Sequence, residues 1–193
     1  MTPSAFSVPT WDAPLEVERV LASVPEAASI AGMFFLALQE GASRRQVQLS
    51  FSKARYLPFG FYPVREFAPL LVEAARLFYP QVSLREGLRR IGTAGPVAFL
   101  SSTLGKVTLG ASEGVHATVQ AIAKTYGINS RPSRCEVKQA GPRSMILSLD
   151  DVVYFLDSHH VGVFEGTLQY AGVQGSVKIA SRSETSADLL LEW

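Results

Sequence analysis

The chain has 193 residues, of which 47% are hydrophobic and 18% are charged, and its formal net charge is +1. This composition excludes the disordered and coiled-coil classes, and the length favours one domain around one buried core. A net charge so close to zero predicts no long-range attraction to nucleic acid or to anionic membranes.

The single cysteine, Cys135, excludes an intramolecular disulfide framework and a zinc site built from several thiolates. The N-terminal residues lack the basic start and apolar run of a signal peptide. No run of the sequence approaches the roughly 18 apolar residues that a membrane-spanning helix needs. We therefore expect a soluble, cytoplasmic protein without a membrane span.

The first half of the chain reads as helical. Residues 1–13 are rich in proline and hydroxyl side chains and predict a loose or peripherally docked arm, so that a single domain begins at Pro14 and covers residues 14–193. Helical spacing predicts helices over 26–41, ended by Gly41, and over 67–78. The aromatic segment 56–67, broken by two prolines and a glycine, predicts a loop.

Further helices are expected downstream. Ser83 and Glu86 match a capping box and predict the start of a helix that Gly92, Gly95 and Pro96 then interrupt. Helical stretches over 97–110 and 113–127 complete this half.

The second half reads as a sheet with one helix. Residues 135–139, 144–149, 173–181 and 187–193 predict strands, the second with apolar residues at alternate positions. The segment 157–172 predicts a helix capped by Asp157 or Ser158, with His159 and His160 in a polar first turn. The predicted fold class is α+β, with an N-terminal helical part followed by a small antiparallel sheet of about four strands and a helix packed on it.

Histidines are the first candidates for chemistry. His159 and His160 are adjacent, so on a helix their side chains diverge by about 100° and do not grip one ion together. His116 or Asp157 would have to complete a metal site through a tertiary contact, and we predict no metal site. A haem needs only one axial histidine, which leaves His116 and His159 formally open as ligands.

Other chemical motifs are missing. No G-x-S-x-G elbow, P-loop or dinucleotide fingerprint occurs in the sequence. Arg134 could lower the pKa of Cys135, but a cysteine at the start of a strand is more often a small packed side chain. We predict no catalytic residue, no cofactor and no enzyme activity.

The predicted helix after the histidines carries two glycines on one side. Val161, Phe164 and Leu168 form its apolar side, while Gly162 and Gly166 lie four residues apart on nearly the opposite side. A second element, a ligand or another subunit could approach the glycine side closely. We therefore assign Gly162, Glu165 and Gly166 to a packing or interface surface.

Several motifs together resemble a known family. The strings RYLPFGFYPVREF, EAARLFYP, LREGLRRIGTAGPVAFLSSTLGKV, HHVGVFEGTLQYAG and DLLLEW look like a paralogous family of roughly 200 residues that is largely restricted to myxobacteria and has no characterised function. The resemblance covers about residues 24 to 193.

A more distant resemblance concerns the fold. The order of elements is similar to the ligand-binding fold of haem nitric-oxide sensors, 4-vinyl-reductase-type domains and subunits of the vesicle transport protein particle. Gly162, Glu165 and Gly166 match its G-x-x-E-G helix step. The cysteine and histidine zinc ligands of the vinyl-reductase type and the tyrosine-serine-arginine haem clamp have no counterpart in this sequence. The resemblance implies the scaffold and not its usual cofactors.

These observations predict a non-enzymatic module that binds a ligand or a partner protein in signalling or assembly. An apolar small molecule is the expected ligand, and self-association or a protein partner is also expected. A structural homodimer without a small ligand is the alternative. The candidate pocket residues are aromatic and aliphatic side chains of the helices, namely Phe34, Phe67, Leu71, Phe78, Phe99 and Phe164.

Overall fold

The computed structural model describes residues 5–101 and 114–193, in which helices precede a sheet as the sequence predicts. The described helices are α1 Val17–Ser23, α2 Gly32–Arg45, α3 Val64–Phe78, α4 Leu84–Ser101, α5 Gly114–Asn129 and α6 His159–Tyr170. The described strands are β1 Ser29–Ala31, β2 Phe61–Pro63, β3 Ser130–Arg131, β4 Arg134–Gly141, β5 Ser144–Asp150, β6 Ser176–Ser181 and β7 Ala187–Glu192. The predicted α+β class is confirmed.

The four-stranded antiparallel sheet has the strand order β4-β5-β7-β6. Alternate residues of β5 and β7 are buried, and Leu147 lies opposite Leu189 in the register. One face of the sheet is therefore apolar, and α6 packs on that side with Val161, Phe164 and Leu168 in the same buried cluster.

A second, three-stranded sheet has the order β2-β1-β3 and was not predicted. Its strands are two or three residues long, too short to show an alternating pattern, and they replace the expected start of a helix and part of the loop 56–67. The backbone N–H of Gly32 donates to the carbonyl of Gly60 at 2.8 Å, so the aromatic loop folds back onto the start of α2.

Two expected helix boundaries were wrong. α2 continues past Gly41 to Arg45, and its C-cap residue Gln46 adopts a left-handed conformation with φ 56°. α4 continues through Gly92, Gly95 and Pro96 to Ser101, because two of its turns pack against α6 where Gly92 allows close approach. Of the helix expected over 97–110, residues 102–110 lie outside the described residues.

The N-terminal segment is docked on the rest of the chain. Ser7 exchanges two backbone hydrogen bonds with Ile179 on the edge strand β6, at 3.0 and 2.8 Å. The Ser83 hydroxyl donates to the carbonyl of Trp11 at 2.6 Å and also caps α4 by accepting from the N–H of Glu86 at 3.1 Å. The described part of the expected arm therefore lies against both α4 and the sheet.

The buried side chains form two clusters. One lies among α2, α3 and the aromatic loop, where Phe35 stacks on Tyr56 with ring centroids 4.3 Å apart. The other lies between the four-stranded sheet, α5 and α6. Over residues 5–101 and 114–193, no helix is both long and apolar enough to cross a membrane.

Candidate functional site: an apolar cavity beside α6

A partly enclosed cavity of about 270 Å³ lies among α2, α3, α4, α5 and α6. Its described lining is almost entirely apolar: Met33, Phe34, Leu36, Ala37, Leu38, Glu40, Phe67, Leu71, Ile91, Gly92, Gly95, Pro96, Phe99, Ile122, Thr125, His159 and Val163. Residues from every one of the five helices contribute, so a molecule in this cavity would contact all five. Small-molecule sites are commonly apolar cavities of this kind, with few polar groups.

Gly95 makes room within α4. A Cβ atom added at this residue would meet no atom of the described residues within 4 Å outside the neighbouring backbone of α4, and Gly95 belongs to the cavity lining. Gly92, one turn earlier, differs sharply, because a Cβ there would overlap the carbonyl of His159 on α6 and lie 3.0 Å from the nitrogen of Val163. The same helix therefore presents a tight contact at Gly92 and open space at Gly95.

His159 lines the cavity as a neutral side chain. Burial lowers the pKa of its imidazole to about 4, although a hydrogen bond to the backbone of Leu88 opposes that shift. Its Nδ1 atom is buried and has no hydrogen-bond partner. The hydrogen bond to Leu88 thus occupies one ring nitrogen, and Nδ1 is the one left without a partner among the described residues.

The neighbouring His160 belongs to a buried aromatic group behind the cavity. The Tyr126 hydroxyl lies 2.9 Å from Nδ1 of His160, and the ring of Tyr154 lies 4.8 Å from the imidazole, centroid to centroid. Burial lowers the pKa of His160 well below its ordinary value, and the adjacent His159 adds to this shift. The expected polar first turn of α6 is thus wrong, because this part of the helix is packed between the two core clusters.

The predicted cap of α6 also differs in the structure. Ser158 precedes the helix but makes no side-chain cap hydrogen bond. The Asp157 carboxylate instead accepts a hydrogen bond from the guanidinium of Arg85 on α4. Asp157 therefore joins two helices rather than closing the end of one.

α4 and α6 cross in backbone contact on the glycine side of α6. A Cβ at Gly162 would overlap the carbonyl of Arg89, and one at Gly166 would overlap the carbonyl of Thr93. Glu165, between the two glycines, accepts a hydrogen bond from Nε of Arg89 at 2.7 Å. The three residues assigned to a packing or interface surface thus all face α4 of the same chain.

Arg89 forms the centre of a small ionic group. Its guanidinium also contacts Glu86 at 3.0 Å and lies 4.8 Å from the ring centroid of Trp11. Burial raises the pKa of Glu165, and the hydrogen-bonded guanidinium of Arg89 opposes that shift. The group joins α4, α6 and the N-terminal segment.

The predicted pocket residues divide into two sets. Phe34, Phe67, Leu71 and Phe99 line the cavity. Phe78 does not, because it lies beneath the guanidinium of Arg45 at 4.6 Å. Phe164 does not either, because it faces the sheet-side core and stacks on Tyr126 with centroids 5.8 Å apart. Both residues are apolar and at helical spacing, but Phe164 lies on another face of α6, and Phe78 lies two turns beyond Leu71 on the same face of α3, past the end of the cavity.

Sequence reasoning missed other lining residues. The sequence predicts a break between helices at Gly95 and Pro96 and places His159 in a polar first turn, but all three line the cavity. One sequence signal bears on this: a glycine next to a proline within a single helix reduces side-chain volume at that place. That signal could be recognised only with the neighbouring helices in view.

The thiol of Cys135 is not activated by its described surroundings. Burial raises the pKa of its thiol to about 12, and the nearby carboxylates of Asp150 and Glu136 add to the shift. Among the described residues, no group of three histidine, cysteine, aspartate or glutamate side chains could hold a metal ion.

A sequence model described as "Protein of unknown function (DUF2378)" matches residues 24–193. The chain belongs to the DUF2378 family. The match begins at the residue that follows α1 and includes every element of the cavity. No curated protein sequence matches this DUF2378 protein.

Solved structures share the fold of this DUF2378 protein. An Fe(II) unliganded H-NOX protein from K. algicida is 12% identical with a TM-score of 0.59, covering 84% of this chain and 96% of that chain. The Fe(II)NO H-NOX protein from S. oneidensis is 12% identical with a TM-score of 0.59, covering 84% and 98%. The H-NOX protein from Shewanella woodyi is 16% identical with a TM-score of 0.60, covering 83% and 93%. At these identities the likeness shows a common fold.

H-NOX proteins bind haem, and a solved example concerns haem distortion in that family, so we tested whether this cavity fits the group. Haem carries two carboxylates and is held through an axial ligand. The described lining includes no lysine or arginine, and its one charged side chain is the carboxylate of Glu40. Nδ1 of His159 has no partner among the described residues, but the volume of about 270 Å³ lies below the roughly 300–1,000 Å³ of drug-sized pockets. The described residues of this cavity do not fit the two carboxylates and the size of haem.

Proposed function

We propose that this DUF2378 protein is a non-enzymatic, cytoplasmic binding module that takes up a small apolar molecule between its helices and acts in signalling or assembly. The observation that carries the proposal is the apolar cavity of about 270 Å³ with lining residues from five helices. An apolar cavity of about 150 Å³ is already large enough to hold benzene in another protein. The H-NOX-like fold is compatible with a ligand-binding role.

The five-helix lining suggests how binding would be transmitted. Val163 belongs to α6, which packs on the four-stranded sheet, while Phe34 and Phe67 belong to the N-terminal helices. A bound molecule would add apolar contacts to both core clusters at once. Binding would therefore favour one position of the N-terminal helices relative to α6 and the sheet. A partner that contacts both halves would then bind the loaded form differently from the empty form.

Calorimetric titration with propylbenzene tests the proposal, with Gly95→Leu as the matched control. A Cβ atom at this lining position meets open space, so we expect a leucine side chain to occupy the cavity. We expect saturable binding to the wild-type protein, a rise in Tm of the loaded protein, and loss of both effects in Gly95→Leu. Absence of binding to the wild-type protein, or equal binding to a folded Gly95→Leu variant, would contradict the proposal.

A second candidate function is self-association, which an exposed apolar patch favours. Leu57, Phe59 and Phe61 are 58%, 64% and 37% exposed and lie within five consecutive residues of the aromatic loop. Exposed apolar patches often mark association sites. This patch lies on a loop, whereas the sequence suggested a helix face. Sedimentation velocity of wild type and Phe59→Ser tests it: we expect a dimer that the substitution dissociates, and a wild-type monomer at high concentration would rule it out.

A further inference from the structure

The cavity opens to solvent next to a carboxylate. Ala37 and Glu40, one turn apart on α2, are exposed lining residues, so the opening lies on that side of the helix. The side chain of Glu40 is 65% exposed. Its oxygen lies 2.8 Å from the guanidinium of Arg44, which is itself exposed and is not among the lining residues.

The described lining provides no partner for a negative charge. Thr125, a polar lining residue, donates its hydroxyl proton to the carbonyl of Ile122 at 2.6 Å. His159 is neutral, with a hydrogen bond to the backbone of Leu88. Transfer of an ionised carboxylate into such surroundings is strongly unfavourable unless a cation or several donors meet it, and the described lining supplies neither.

We propose that the ligand of this cavity is a small apolar molecule that carries no negative charge. An amine is the favoured polar group, and it lies beside Glu40. Carboxylates, including haem, do not bind. This inference rests on the proposed function, because it specifies the ligand class of the same cavity. An ammonium group at the opening keeps its hydration and gains the attraction of Glu40, while the apolar body fills the interior.

Three compounds of matched shape test the charge dependence: propylbenzene, 3-phenylpropylamine and 3-phenylpropionate. We expect the carboxylate to bind at least about tenfold more weakly than the hydrocarbon, because its charge finds no partner. The amine should bind about threefold more tightly than the hydrocarbon at low salt, and this preference should disappear at high salt, since an exposed charge pair is weak and screened.

Variants of the opening separate charge from shape. Glu40→Gln should remove the amine preference, and Glu40→Lys should strengthen binding of the carboxylate while hydrocarbon binding stays the same. Arg44→Gln is the control, because Arg44 does not line the cavity and its loss should not improve carboxylate binding. Hemin added to the wild-type protein should keep the absorbance spectrum of free hemin.

The outcomes distinguish the two proposals. Three outcomes would contradict the proposed ligand class but not the proposed binding function. These are equal binding of the carboxylate and the hydrocarbon, a stoichiometric Soret shift with hemin, or an amine preference that Glu40→Gln leaves unchanged. If none of the three compounds binds to the wild-type protein, the proposed function itself fails.

Discussion

Gly162 of α6 lies against the main-chain carbonyl of Arg89 on α4 so closely that no side chain fits between the two helices. Gly166 repeats the arrangement one turn later against Thr93, and Gly92 provides the reverse contact from α4 to His159. Three glycines thus bring the two backbones together. Because α6 lies on the sheet and α4 lines the cavity, this crossing sets the distance between the sheet and the cavity.

Gly162→Ala should destabilise the protein strongly. The added methyl group would overlap a backbone carbonyl that is fixed within a helix, so the helices must separate, and we expect a loss of at least about 2 kcal/mol in the free energy of unfolding. Urea denaturation measures it. Gly95→Ala is the matched control, because its methyl group meets open space and the better helix propensity of alanine should add about 0.5–1 kcal/mol. Equal stabilities of the two variants would contradict the close-contact explanation.

The crossing also shows what the sequence could and could not predict. The 3.6-residue period of α6 placed Gly162 and Gly166 on one side, opposite to Val161, Phe164 and Leu168. It did not identify α4 as the neighbour, because the chain between them contains a helix and two long strands. The same limit explains Phe78: helical spacing places it on the face of α3 that Phe67 and Leu71 share, but the cavity does not extend two turns further along the helix.

Sequence patterns predicted the structure correctly where the interactions join residues close together in the chain. The Ser83–Glu86 capping box forms its predicted hydrogen bond, and the alternation of β5 matches its burial. Glycine and proline within α4 gave a wrong boundary, because tertiary contacts with α6 and the cavity override their local preference. The cavity was beyond sequence reasoning for the same reason, since its lining comes from five separate helices.

Glu165→Gln should weaken the junction of α4 and α6. The carboxylate is largely buried and holds Nε of Arg89 at 2.7 Å, so its neutralisation leaves the partly buried guanidinium with Glu86 alone. We expect a loss of about 1–3 kcal/mol in the free energy of unfolding, measured in urea. Asp151→Asn is the control, because the Arg134–Asp151 pair is exposed and should contribute less than about 1 kcal/mol. Similar losses in both variants would mean that burial of the ionic group is unimportant.

Acid should destabilise the protein through the buried histidines. The pKa of His159 is about 4 in the folded protein against an ordinary value of 6.5, so between these values the unfolded chain binds more protons. Stability therefore rises with pH through this window and falls as the pH drops below about 6.5. For His159 alone the loss from about pH 7.5 to about pH 5 should be about 2 kcal/mol, and His160 shifts in the same direction.

Urea denaturation of wild type and His159→Gln at the two pH values tests this dependence. The variant lacks the titrating ring, so its stability should fall less between them, whatever its absolute stability. Glu165, whose raised pKa acts in the opposite direction, is common to both proteins and cancels in the comparison. Identical pH slopes would show that His159 does not titrate differently in the folded protein.

Trp11 should contribute to stability although it precedes the first helix. Its ring lies 4.8 Å from the Arg89 guanidinium and packs against the sheet-side core, and its carbonyl accepts from Ser83. Trp11→Ala removes the apolar and cation–π contacts but keeps the backbone bond, and we expect a loss of about 2 kcal/mol in the free energy of unfolding. Val8→Ala is the control, because Val8 is 57% exposed. A Trp11→Ala variant as stable as Val8→Ala would indicate an N-terminal segment that is detached in solution.

Cys135 should resist alkylation in the folded protein. The thiolate is the reactive form, and burial next to two carboxylates raises the thiol pKa to about 12, so only a very small fraction is ionised near pH 8. Iodoacetamide should therefore modify Cys135 slowly in the native protein and quickly in urea, as mass spectrometry would show. Cys135→Ser, which has no thiol, identifies any labelling of other residues. Rapid labelling of the native protein at a rate typical of free cysteine would mean that β4 opens readily, and it would reopen the question of a nucleophilic thiol.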